Sequence, residues 1–209
     1  MKTSHFLLAI ALVTGLNLLL ARAASSLAPV QATSSQEEKK MADQMMKYGT
    51  PARQHELLKN YAGEWDVAIS SWRSPGSAPE TSQGSMRAAL LFDGRFLQAE
   101  FDLMMGGMKA RGLEIIGYDL FKKMYTTFWI DSWSTGFVTT SGTLDPAGRV
   151  LTETGDFPDI LTDGKTRQAI RNVTTFLGDG KFKFEMFMAM PDGSEHKGME
   201  LTCTRKRRG

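Results

Sequence analysis

From Gly63 onward the chain alternates apolar and polar residues in short runs, and each run stops at a cluster of Gly, Pro or Asp. In Glu64 to Arg73, Trp65, Val67 and Ile69 share one face while Glu64, Asp66, Ala68 and Ser70 share the other, the period of a half-buried strand. The same rhythm predicts strands over Thr81 to Phe92, Arg95 to Met105, Lys109 to Asp119, Met124 to Trp133 and Gly136 to Leu144. It continues over Arg149 to Gly155, Lys165 to Leu177, Lys181 to Met190 and Glu195 to Lys206. Asp93-Gly94, Gly106-Gly107, Asp145 to Gly148, Gly178 to Gly180 and Pro191 to Gly193 are the turns between them. About ten sequential antiparallel strands cannot stay an open sheet, which would leave long unpaired edges and an uncovered apolar face. The predicted fold is therefore all-β, an antiparallel up-and-down β-barrel of lipocalin-like type, with a two-sheet sandwich as the alternative. A barrel of this size is either filled by its side chains or holds one small ligand.

Ahead of this barrel domain (63–209) the pattern changes three times. Residues 1–23 have the parts of a secretory signal peptide: Lys2, an apolar run from Phe6 to Leu20, and Ala21-Arg22-Ala23 as a small-x-small cleavage site. The apolar run is shorter than the roughly 20 residues that span a bilayer, so cleavage, export to a periplasmic or secreted location and no stable membrane insertion are expected. A retained anchor is the alternative. Residues 24–35, small, polar and Pro-containing, are expected to form a flexible leader. Residues 36–62 form a helical segment: Met41, Met45 and Tyr48 lie on one side of a first helix, and Thr50-Pro51 supplies the start of a second, whose apolar edge is Leu57, Leu58 and Tyr61.

Composition narrows the function classes more than it selects one. With 209 residues, 42% hydrophobic and 23% charged, the chain is globular, and a net charge of +2 gives no reason to expect nucleic acid as a partner. The basic run Arg205 to Arg208 reads as a solvated, fraying terminus. Cys203, the one cysteine, excludes an intramolecular disulfide and falls in an alternating run, where a buried, inert thiol is expected. Beyond His5 only His55 and His196 remain, so a metal site would need carboxylate help. His196 near the last hairpin could serve as a haem ligand, but a solvated loop histidine is the plainer reading. No cofactor is expected. Nucleophile elbow, phosphate loop and CxxC are all absent from the sequence, which names no reaction.

The order Gly63-Glu64-Trp65, Gly94-Arg95-Phe96-Leu97-Gln98, Gly117-Tyr118-Asp119, Trp129-Ile130-Asp131 and Ser141-Gly142-Thr143 resembles a bacterial family called domain of unknown function 1579. The resemblance covers about Glu56 to Thr204. It implies an exported, lipocalin-like barrel with no established activity. Members usually carry Gly-Gly-Arg-Phe-Leu where this chain has Asp93 in place of the first Gly, which alters that turn.

Within such a barrel, Arg95, Leu97, Ala99, Phe101 and Leu103 share the more apolar face of their strand, which would bring Arg95 into the lumen near a mouth as a partner for an anionic head group. Phe184, Met186, Met188 and Met190 share one face of another strand, and thioethers beside aromatics make an adaptable apolar wall. Asp102, Glu114, Asp119 and Asp131 are carboxylates that adjacent strands could gather, although Asp119 and Asp131 also stand where turns use carboxylates as acceptors. The ligand-lining candidates are Trp65, Arg95, Phe101, Tyr118, Trp129, Asp131, Met186 and Met188. The expected function is binding of a small apolar or amphipathic ligand in the lumen. The alternatives are an enzyme with carboxylates such as Asp119 and Asp131 at the mouth, or a filled structural barrel. The sequence sets no oligomeric state.

Overall fold

The computed structural model describes residues 28–207. The signal peptide expected over 1–23, the front of the leader and Arg208 lie outside the described residues. The chain divides into two compact units, Met1–Lys47 and Tyr48–Gly209. Helix α1 (Ala28–Gly49), as far as Lys47, makes up the described part of the first. It starts inside the stretch expected to be irregular: Pro29 sits in the first turn, where its missing N–H costs nothing, and no glycine follows until Gly49. Met41, Met45 and Met46 are exposed on it. No helix among the described residues is long and apolar enough to cross a membrane.

The second helical piece begins later than Thr50-Pro51 suggests. A 3₁₀ turn (Arg53–Leu57) leads into a single α turn, α2 (Leu58–Tyr61), and the N-cap is Ala52 in extended conformation. Alanine has no side-chain acceptor, and the Ala52 N–H instead donates to Nδ1 of His55 at 3.0 Å. The imidazole takes the part that a Glu or Gln three residues after the N-cap plays in a capping box, accepting from the N-cap backbone N–H.

Ten strands then follow in a meander: β1 (Gly63–Ser71), β2 (Glu80–Leu91), β3 (Phe96–Met105), β4 (Met108–Asp119) and β5 (Met124–Asp131). The remainder are β6 (Val138–Leu144), β7 (Val150–Pro158), β8 (Arg167–Gly178), β9 (Lys181–Ala189) and β10 (Glu195–Arg205). Every strand pairs antiparallel with its chain neighbour, and β10 returns to β1 to close the barrel, with Trp65 opposite Arg205 and Ile69 opposite Leu201. Closure removes the sheet edges, and the sandwich alternative is excluded. The alternation read from the sequence is the inward and outward alternation of the barrel: Trp65, Val67, Ile69, Leu97, Ala99, Phe101 and Leu103 all point into the core.

One end of the barrel is sealed. Leu57, Leu58 and Tyr61 from the helical piece are buried there against Trp65, Phe176 and Phe182, with Tyr61 edge-on to both phenylalanines at 5.0 and 5.2 Å. Two hydrogen bonds fasten the plug: Trp65 Nε1 donates to Tyr61 O at 2.7 Å, and Tyr125 Oη donates to Gln54 O at 2.7 Å. The basic C-terminal run does not simply fray, since Arg205 ends β10 with its guanidinium 4.1 Å from the centre of the Trp65 ring. Its Nη1 donates to Ala62 O and its Nη2 to Asn60 O, and Lys206 pairs with Asp66 at 3.6 Å. Arg205 therefore locks plug to barrel at the point of closure.

The β2–β3 turn shows what replaces the family glycine. Asp93 adopts φ 57° and ψ 36°, in the left-handed region that Asp tolerates better than most residues, and Gly94 follows at φ 84°. Arg205→Ala removes two bonds to carbonyls and a stacked cation, and is expected to lower unfolding stability by about 2 kcal/mol. Urea denaturation followed by tryptophan fluorescence measures this; Arg205→Lys, which cannot form the fork, should recover only a minor part.

Candidate functional site

Away from the plug the barrel is not filled. A cavity of about 760 Å³ runs from the interior to the opposite end, where Trp133, Phe137 and Ile160 form a rim, 51%, 66% and 85% exposed. The filled-barrel alternative is thereby set aside. The cavity has two unlike sides. Met86, Phe101, Leu103, Phe184, Met186, Met188, Met199 and Leu201, from β2, β3, β9 and β10, make an apolar wall. Glu114, Thr127, Thr140, Glu153, Asn172 and Thr174, one or two from each of β4 to β8, make a polar one.

Five of the eight sequence-derived candidates line this space: Phe101, Trp129, Asp131, Met186 and Met188. Trp129 stands edge-on to Phe101 at 5.4 Å and donates its Nε1–H to Oδ2 of Asp131 at 2.9 Å. Oδ1 of Asp131 accepts the backbone N–H groups of Trp133 and Ser134, so the carboxylate caps the β5–β6 turn and aims an indole at once. Buried depth raises its pKa, but these donors outweigh that and hold it below the usual carboxylate range. The Trp129 ring fits because Gly112 lies beneath it; a Cβ there would come 2.1 Å from the indole.

The other three candidates fall elsewhere. Arg95 precedes β3 in helical backbone conformation, so it leaves the strand alternation before reaching the lumen. Its side chain is 39% exposed and donates to Gly49 O and Phe92 O. Trp65 belongs to the plugged end, and Tyr118 stands there too, edge-on to Tyr125 at 4.9 Å and to His55 at 5.9 Å.

The mouth pair of acids does not exist. Asp119 ends β4 opposite Met124 and accepts from the N–H groups of Phe121 and Lys122 in its turn, whereas Asp131 lies across from Gly112 at the other end of the same strand pair. His196 is not a solvated loop residue either: it is buried on β10 with Nε2 at 3.2 Å from Trp72 O. Among the described residues, no three His, Cys, Asp or Glu side chains converge to hold a metal.

The carboxylates that do meet lie deep inside. Glu114 projects inward from β4, level with Ala99 and Trp129, and no side-chain hydrogen bond reaches its carboxyl among the described residues. Burial, reinforced by the negative neighbour Glu153, pushes its pKa up to about 8. Glu153 on β7 accepts from Thr127 Oγ1 at 2.8 Å and from Thr140 Oγ1 at 3.4 Å, and burial still outweighs these bonds to raise its pKa. Tyr61 closes the floor above them, its phenol held protonated by burial and by both glutamates. Beside Glu153, Asn172 brings Oδ1 into the same interior, buried and without a donor among the described residues. The Cys203 thiol shares the cavity, and its pKa is pushed up to about 12 by burial and then by Glu114, which makes it inert as a nucleophile.

A family described as protein of unknown function (DUF1579) matches residues 50–205. The chain belongs to that family. A search of curated proteins finds no match. Among solved structures, a redesigned β-barrel aligns over 76% of this chain and 99% of its own length, with 18% identity and a TM-score of 0.37. The family match spans the helical plug, all ten strands and the closing Arg205.

In this DUF1579 barrel Glu153 carries no mark in the sequence, and Glu114 stands there beside Asp102, Asp119 and Asp131 rather than beside Glu153. Glu153 falls in Leu151-Thr152-Glu153-Thr154-Gly155, a run without apolar contrast to mark which face turns inward. Glu114 lies between Leu113 and Ile115, which point outward, so the ordinary alternation is inverted there. Only the barrel register brings the two together.

Glu114 has an ordinary carboxyl pKa of 4.5 and a folded value of about 8, so the folded state binds the extra proton. Its contribution is fully present below 4.5 and is lost as pH rises through about 8. The DUF1579 domain should lose on the order of a few kcal/mol between these limits. In Glu114→Gln this slope should flatten, as read from urea midpoints at pH 5 and 8.5.

Proposed function

We propose that this protein binds a small amphipathic molecule inside its barrel. The single observation that carries the reading is the open interior cavity of about 760 Å³, bounded by an apolar wall and a smaller set of polar groups. Such a volume is within the range of sites that enclose small ligands. Met186, Met188, Met199 and Met86 supply flexible thioethers that can adapt to more than one chain shape. Trp133, Phe137 and Ile160 give the mouth an apolar rim, which favours entry of a molecule that is itself partly apolar. The signal-peptide pattern of residues 1–23 supports a role outside the cytoplasm, as an exported carrier or buffer of such a molecule.

Ala110 lines the cavity near its mouth and is 7% exposed. Ala110→Trp should fill part of that space and weaken uptake of a neutral naphthalene dye at least about tenfold. Fluorescence titration checks this, with thermal unfolding as the control for an intact fold; unchanged dye affinity in a folded variant would remove the cavity from the binding site.

A further inference from the structure

We infer that the inner end of the cavity is a pocket for a protonated amine, and that the ligand is an alkylamine-type amphiphile bound head inward; this rests on the ligand-binding reading above. Once Glu114 gives up its proton, the polar groups gathered there offer acceptors to the cavity. Glu114 has no hydrogen-bonding partner for its carboxyl among the described residues, Glu153 uses Oε1 for Thr127 and Thr140, and Asn172 Oδ1 is buried with no donor among the described residues either. A buried acceptor left without a donor is costly, and a ligand that brings the donor recovers that cost. An ammonium group offers three N–H donors and no acceptor. It therefore matches Glu114, Glu153 and Asn172, whereas a hydroxyl offers one donor.

Charge separates the ligand classes further. The titratable groups that line the cavity with Glu114 are Glu153 from β7, Tyr61 from α2, Cys203 from β10, Asp131 from β5 and Arg111 from its own strand. Arg111 is the one cation among them, and it lies on the outward-facing parity of β4 and is exposed. Among the described residues, a carboxylate head group would meet two glutamates and no lysine or arginine at the inner end. The anionic-head-group reading built on Arg95 is thus replaced by its electrostatic opposite. Above the head group, Phe101, Phe184, Met186 and Met188 line the path that an alkyl tail would take toward the rim.

The exchange of protons follows from the site. In the empty barrel Glu114 carries a proton at neutral pH because burial and Glu153 hold its pKa at about 8. An entering ammonium stabilises the ionised carboxylate, so Glu114 releases that proton to solvent as the cation arrives. One positive charge enters and one leaves, so the net charge of the pocket is unchanged. Affinity for the amine should rise with pH up to about 8, where the empty site already ionises.

The test is calorimetric titration of the barrel with decylamine, decanol and decanoate at pH 7, in two buffers of different ionisation enthalpy. The expected result is at least about tenfold tighter binding of decylamine than of decanol, decanoate weakest, with proton release seen only for the amine. Glu114→Gln, which keeps the side-chain shape, should abolish the proton release and most of the preference. Equal affinity for the three probes, or preference for decanoate, overturns the amine assignment and leaves the carrier reading standing. Binding of none of the three overturns both. The wild-type comparison needs no variant, so a poorly folded Glu114→Gln cannot obscure the outcome.

Discussion

A ten-strand barrel is wider than its own inward side chains can fill, and the rest of this molecule is arranged around that fact. At one end the shortfall is met by borrowed material: the Arg53–Leu57 turn and α2 push Leu57, Leu58 and Tyr61 between the strand ends. At the other end no comparable segment enters among the described residues, and the unfilled width becomes the cavity. The plug must be held firmly because a short helical piece has little stability of its own. Hydrogen bonds to Tyr61 O, Gln54 O, Ala62 O and Asn60 O, all from barrel residues, supply that hold.

The cavity's polar side is the expensive part of the design. Burial alone would favour apolar residues of similar volume in place of Glu114 and Glu153. The interior accommodates them by keeping Glu114 protonated and by giving Glu153 two threonine hydroxyls. Thr127, Thr140 and Thr174 have the β-branched shape that suits a strand and the hydroxyl that suits this interior. The same wall therefore satisfies a strand's steric preference and a polar site's hydrogen-bonding demand.

How much of this was legible in the sequence depends on the contrast between faces. In β1, β3 and β9 one face is apolar and the other is not, so Trp65, Phe101, Met186 and Met188 announce their direction. The strand count and the meander follow from the same contrast, together with the turn residues that punctuate it. In β4 to β8 the contrast fails. Outward Leu113 and Ile115 flank inward Glu114, outward Phe128 follows inward Thr127, and a polar lumen makes the periodicity point the wrong way. Arg95 was misplaced because its strand starts one residue later, which frees its backbone from the alternation that would have turned it inward. His196 was misread because its partner, Trp72 O, is 124 positions away in the sequence and adjacent only after closure.

Closure also decides where the barrel begins and ends. Gly63 and Arg205, the first residue of β1 and the last of β10, both sit at the plugged end, since Trp65 pairs with Arg205 and the strands run antiparallel. The mouth, with its rim of Trp133, Phe137 and Ile160, is at the opposite pole. A tether attached to either terminus of the barrel thus approaches from behind. The opening of the barrel therefore lies at the pole opposite both of its own chain ends.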